Sequence, residues 1–120
     1  MAYTPSQKIL EKYANVLVNF ALRDGKGIKK GETVLVRAGE SARPLYVEIL
    51  KAVWRAGGNV ISRYTLDTYN EADNTGKFFY ENASQEQIEF FPKNYNRGLV
   101  DDMDHSIFVI SETNKKHYKV

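Results

Sequence analysis

Asp101-Asp102-Met103-Asp104-His105 places three carboxylates and an imidazole within five consecutive residues, the oxygen and nitrogen donors that divalent metals accept. No second cluster of such donors stands elsewhere to complete a centre, so the segment reads as an acidic helix end and the turn before a strand. His117 lies in Lys115-Lys116-His117-Tyr118-Lys119 and reads as a solvated member of a basic tail. Ser6, Ser41, Ser62, Ser84, Ser106 and Ser111 occupy no G-x-S-x-G context, and neither histidine is placed by a motif to activate one. Cysteine is absent, which removes disulfides, thiolate metal sites and a thiol nucleophile. The residues therefore assign no catalytic group, no cofactor-binding group and no metal ligand within this chain.

Two stretches carry binding chemistry of a weaker kind. Ala38-Gly39-Glu40-Ser41-Ala42-Arg43 follows an apolar run and precedes a helix, which is where open α/β sheets bind ligands and where free helix N–H groups attract anions. It has neither G-x-G-x-x-G nor G-x-x-x-x-G-K-[ST], so a plain βα turn is favoured over a phosphate loop. Phe78-Phe79-Tyr80 and Phe90-Phe91 offer rings for stacking bases, yet no Lys or Arg is interleaved with them, which favours core or an interface surface. Lys and Arg number 17 against 15 Asp and Glu, a net charge of +2 with no concentrated patch beyond the last few residues. Nucleic acid and anionic membrane are thereby disfavoured as partners. The start of the chain lacks the layout of a signal peptide, no apolar stretch approaches membrane-spanning length, and a cytoplasmic location is expected.

The elements that would position these groups follow from periodicity. Gly31-Glu32-Thr33-Val34-Leu35-Val36-Arg37-Ala38-Gly39-Glu40 is a short β-branched run bounded by glycine, predicted to be a central strand buried on both faces. A helix is predicted from Pro44, with Ser41 or Arg43 near its cap, through Tyr46, Ile49, Leu50, Val53 and Trp54 to Gly57-Gly58. Asn59 to Leu66 is a second, less buried strand with Val60, Ser62, Tyr64 and Leu66 on one side. Strand, helix, strand specifies a right-handed βαβ unit with parallel strands.

Before this unit, Thr4-Pro5-Ser6-Gln7 spells a capping box with Thr4 as N-cap, opening a helix whose apolar face of Ile9, Leu10, Tyr13, Ala14, Val16, Leu17, Phe20 and Ala21 requires a large partner surface. Arg23-Asp24-Gly25 is expected to end this helix, which would pack on the sheet outside the crossover. After the unit, Asp67 to Asp104 reads as a crossover of short helices: Tyr69 to Tyr80 interrupted at Asn74-Thr75-Gly76, then Gln85 to Phe91 behind the box Ser84-Gln85-Glu86-Gln87, then a helix after Pro92 with Tyr95, Leu99 and Met103 on a stripe. Ser106 to Ser111 is the third strand. The expected fold is α/β, a three-layer α/β/α arrangement around a small parallel sheet of βαβ units, Rossmann-like or flavodoxin-like, with residues 1–120 as a single domain. An apolar edge strand on so small a sheet is a pairing liability, so the chain is expected to be the front part of a longer protein.

Tyr13-Ala14-Asn15-Val16-Leu17-Val18 with Ala21-Leu22, Lys30-Gly31-Glu32-Thr33-Val34-Leu35-Val36, Pro44-Leu45 and Arg55-Ala56-Gly57-Gly58-Asn59-Val60, in this order and spacing, resemble the N-terminal domain of the M29 metallo-aminopeptidases, the thermophilic or aminopeptidase T type. The resemblance runs through about half of the chain and finds little to match between Asp67 and Asp104. It implies a cytoplasmic exopeptidase that removes N-terminal residues from peptides with two divalent metal ions, zinc, cobalt or similar, held by Glu, His, Asp and Tyr ligands. By the same resemblance those ligands belong to a C-terminal catalytic domain, none falls on a residue of this chain, and the whole protein is a homodimer whose N-terminal domains help enclose the cavity. A fragment of this kind would hydrolyse nothing alone. The alternatives are a freestanding Rossmann-like module that binds a small anion or nucleotide at Gly39 to Arg43, or a purely structural interaction domain.

Overall fold

Three parallel strands in the order β2-β1-β3 form the sheet: β1 (Thr33–Gly39) at the centre, β2 (Asn59–Thr65) on one side and β3 (His105–Val109) on the other. The computed structural model describes residues 6–66 and 71–110. The chain runs α1 (Gln7–Val16), β1, α2 (Arg43–Arg55), β2, α3 (Thr75–Asn82), α4 (Gln85–Glu89), α5 (Lys93–Asp102) and β3. The βαβ unit and the mixed α/β class expected from periodicity are present.

The central strand departs from expectation in one respect. Its burial alternates: Val34, Val36 and Ala38 are fully buried, whereas Thr33, Leu35, Arg37 and Gly39 between them are only half-buried. The continuous apolar run was read as burial on both faces, but Arg37 already breaks that run, and α1 and α2 complete only the first face. Ile49 and Val53 of α2 and Ala14 and Val18 of the first helix close over Val34, Val36 and Ala38, with Ile107 of β3 beside them. Ile49 is wholly enclosed, so its truncation to alanine costs about 2–5 kcal/mol.

Local chemistry explains the element ends. Ser6, not Thr4, caps α1: its hydroxyl accepts from the Ile9 N–H at 3.3 Å, and Gln7 is released from a capping box to donate to Glu48 on α2 at 2.8 Å. Thr4 and Pro5 lie outside the described residues. The α-helix stops at Val16 and continues as a π-helical turn, Leu17–Ala21, before Arg23, Asp24 and Gly25 take positive φ, so the expected stop at Arg23 to Gly25 is a turn beyond a widened last coil. Leu10, Ala14 and Val18 are the buried residues of this segment, while Ile9, Tyr13, Val16 and Phe20 remain exposed, so the apolar face is wider than its cover.

At α2, Ala42 stands at the cap with no side-chain hydrogen bond, behind a 3₁₀ turn of Glu40–Ala42; Ser41 and Arg43 flank it as expected, and the helix starts at Arg43, one residue before Pro44. Its other end is a Schellman closure: Gly57 at φ 84° donates to Trp54 and Gly58 donates to Val53.

In the crossover, Asn74 accepts from the Lys77 N–H and starts α3, so the expected interruption is the helix start, and Tyr69 lies outside the described residues. The Ser84–Gln87 capping box forms in both directions. The helix it opens ends at Glu89, short of Phe91, and α5 ends at Asp102, leaving Met103 past the stripe. None of α3, α4 or α5 has a fully buried residue. Phe78, Phe79, Tyr80, Phe90 and Phe91 are exposed, so of the two expected places, core or interface surface, they occupy the surface.

Gly27 ties the π turn to the strand. It sits at φ 78°, and a methyl group there would lie 2.4 Å from the Asn19 carbonyl oxygen, whereas Gly31, at φ 89°, has open space around it. Gly31→Ala should cost about 1 kcal/mol of left-handed strain, and Gly27→Ala about 3 kcal/mol or more as clash adds to strain. Urea unfolding midpoints of the two variants check the ranking; equal losses would refute the close packing at Asn19.

Candidate functional site

The polar chemistry of the domain collects at the two edges of the sheet. At the amino edge, Glu32 stands just before β1 and Asp104-His105 at the start of β3, because the parallel register sets Val34 against His105. Glu32 Oε1 accepts from the Lys29 N–H at 2.6 Å and lies 3.0 Å from His105 Nε2; Glu32 Oε2 lies 3.6 Å from the Arg23 guanidinium. Asp104 Oδ2 accepts from the Thr33 N–H at 2.8 Å, while the Asp104 N–H donates to the Thr33 carbonyl at 2.8 Å. The Lys29 amide and then the His105 hydrogen bond hold the Glu32 carboxyl below its ordinary range.

Of the acidic segment singled out in the sequence, Asp104 and His105 are thus committed to joining β3 to β1. Asp101 and Asp102 project from the exposed end of α5. Among the described residues no three His, Cys, Asp or Glu side chains converge into a metal-binding group. The donors of the described residues do not fit a divalent metal centre. His117 and Ser111 lie outside the described residues.

At the carboxyl edge, the Gly39 to Arg43 turn leads into α2 as expected for a βα connection, with Ala42 buried and Glu40 and Arg43 exposed. Beside it the Tyr46 hydroxyl is hydrogen-bonded to Ser62 Oγ, and the Tyr46 and Tyr64 rings are 5.2 Å apart. Burial, then the neighbouring Tyr64, pushes the Tyr46 phenol upward, so it stays protonated. Ser62 is the hydrogen-bond partner of this phenol and has no histidine beside it. Between α1 and α2, Glu48 is 2% exposed; Gln7 and Lys51 both reach its Oε2, at 2.8 and 3.2 Å, and the Gln7 bond is the main cause of its lowered pKa. Its other oxygen has no partner. Sequence reading missed both the Glu32–His105 pair and the buried Glu48: the first is visible only once β1 and β3 are placed in register, the second only once Gln7 is freed from a capping role.

The profile of the thermophilic metalloprotease (M29) family matches residues 6–120. The chain belongs to the M29 family. No curated protein matches it. The M29 match covers the crossover between Asp67 and Asp104 as well, where the motifs read from the sequence had found little to match. In this M29 domain the strand edge that carries the most carboxylate and imidazole chemistry is engaged in strand pairing.

Glu32 supplies a pH test. Its folded-state pKa lies below the ordinary 4.5, so its contribution to stability is whole above that pH and is lost as the pH falls through the folded value. The stability difference between the native protein and Glu32→Gln should therefore narrow as the pH drops from about 5 toward about 3. Denaturant titrations across that range check it; a constant difference would show that the hydrogen bonds do not favour the carboxylate.

Proposed function

We propose that this chain is the non-catalytic amino-terminal domain of a metal-dependent aminopeptidase, one that removes N-terminal residues from peptides in the cytoplasm and works as a homodimer. The observation that carries the reading is the M29 match across residues 6–120 of a domain among whose described residues no donor groups converge into a metal centre. The activity of a metallopeptidase requires such a centre, so its two divalent ions are assigned to a catalytic domain outside this chain. The exposed rings support the same role. Phe78, Tyr80, Phe90 and Phe91 are each at least two-thirds exposed, and Ile110 more so, an amount of uncovered apolar surface that fits a domain made to pack against another. No helix among the described residues is long and apolar enough to cross a membrane.

In that arrangement the domain contributes shape and exclusion of water, not reacting groups. The role is tested with leucine p-nitroanilide and with leucyl peptides. The 120-residue chain should release no product and retain no zinc on dialysis. The protein carrying it together with the catalytic domain should be active and should lose activity to a chelator. Metal-dependent hydrolysis by the 120-residue chain would overturn the non-catalytic role, and chelator-insensitive or absent peptidase activity in the longer protein would overturn the function.

A further inference from the structure

The sheet face turned away from α1 and α2 carries an arrangement that the peptidase reading does not use. Val34, Val36 and Ala38 point into the core, so Leu35 and Arg37 of β1 point to the opposite face. Arg37 pairs in register with Arg63 on β2 and with Phe108 on β3, which sets Phe108, Arg37 and Arg63 side by side across the three strands. The Arg37 guanidinium lies 4.5 Å from the Phe108 ring centroid. At the other end of the row the Arg63 guanidinium lies 5.7 Å from the ring of Tyr95 on α5. An aromatic, two arginines and an aromatic thus form one line, open to solvent through the exposed Phe108 and Tyr95 rings.

Two like charges on neighbouring strands at the same register oppose sheet formation. Among the described residues no carboxylate offsets them: neither Arg37 nor Arg63 has one within ion-pair distance, although Arg23 is paired with Glu32 and Lys51 with Glu48. Both are half-buried, so water screens them less than it would on an open surface. A ring contact attracts the charge of a guanidinium group without using its N–H donors as hydrogen bonds, and those donors match the paired oxygens of an oxyanion.

We propose that the Phe108–Arg37–Arg63–Tyr95 row is a binding site for an oxyanion, a phosphate or carboxylate group bridging the two guanidinium groups. It is independent of the peptidase reading, since it needs no metal and lies on a different part of the domain from the Gly39 to Arg43 turn.

The test is titration of the intact protein with inorganic phosphate and separately with succinate, at constant ionic strength, followed by calorimetry and by the side-chain N–H resonances of the arginines. Arg37→Met and Arg63→Met keep the aliphatic stems on the sheet and remove the charge, and Arg43→Met is the control at the βα turn. Saturable one-to-one binding, weakened about tenfold or more by either of the first two changes and untouched by the third, is expected. The anion that saturates at lower concentration tells phosphate from carboxylate. Failure of both anions to saturate, or equal binding in the Met variants, would overturn the site. A folding defect is read out separately, because each Met variant should unfold at a midpoint no lower than the native protein when anion is absent, and phosphate should raise the midpoint of the native protein alone beyond its general salting effect.

Discussion

Everything in this domain depends on the burial of one side of one strand. Val34, Val36 and Ala38 are the only β1 side chains fully removed from water, and α2 reaches them through Ile49 and Val53. At about 25 cal/mol for each Å² of apolar surface, such contacts are the main force favouring the fold, and they fix the register because a shift by one residue would drive Arg37 into the core. The π-helical turn at Leu17–Ala21 serves the same contact, since Val18 is fully buried within it and the Ile28 N–H donates to the Val18 carbonyl at 3.2 Å.

The amino edge shows why residue type alone is a poor guide to chemistry. Three carboxylates beside a histidine resemble a metal site in one dimension. In three dimensions Asp104 accepts from the Thr33 amide and His105 meets Glu32, so two of the groups with ligand character serve to join β3 to β1.

Much of the fold was legible because the signals were local. The Ser84–Gln87 box, the Gly57-Gly58 closure and the β-branched run of β1 each rest on contacts within a few residues, and each formed as read. The start of α1 was misplaced because Thr4 and Ser6 carry equivalent capping hydroxyls, and the choice was decided by Gln7 bonding to Glu48, 41 residues away. Burial of β1 was misread for a similar reason: a run of apolar residues does not say how many layers will cover it, and α3 to α5 bury none of their own side chains fully. The pairing of Glu32 with His105, and the row through Arg37 and Arg63, depend on the register of strands distant in sequence, which no window of residues contains.

The order of the strands also sets what each pairing costs the chain. Joining β2 to β1 brings together Gly31 and Asn59, 28 residues apart, whereas joining β3 to β1 brings together Thr33 and Asp104, 71 residues apart. Closing the longer loop costs about 0.8 kcal/mol more in chain entropy. The strand that bears the Asp104–His105 latch is thus the one whose pairing costs the chain more entropy. Because Phe108 belongs to it, the aromatic–arginine row exists only in the completed sheet, which ties the proposed ligand site to the pairing of β3 with β1.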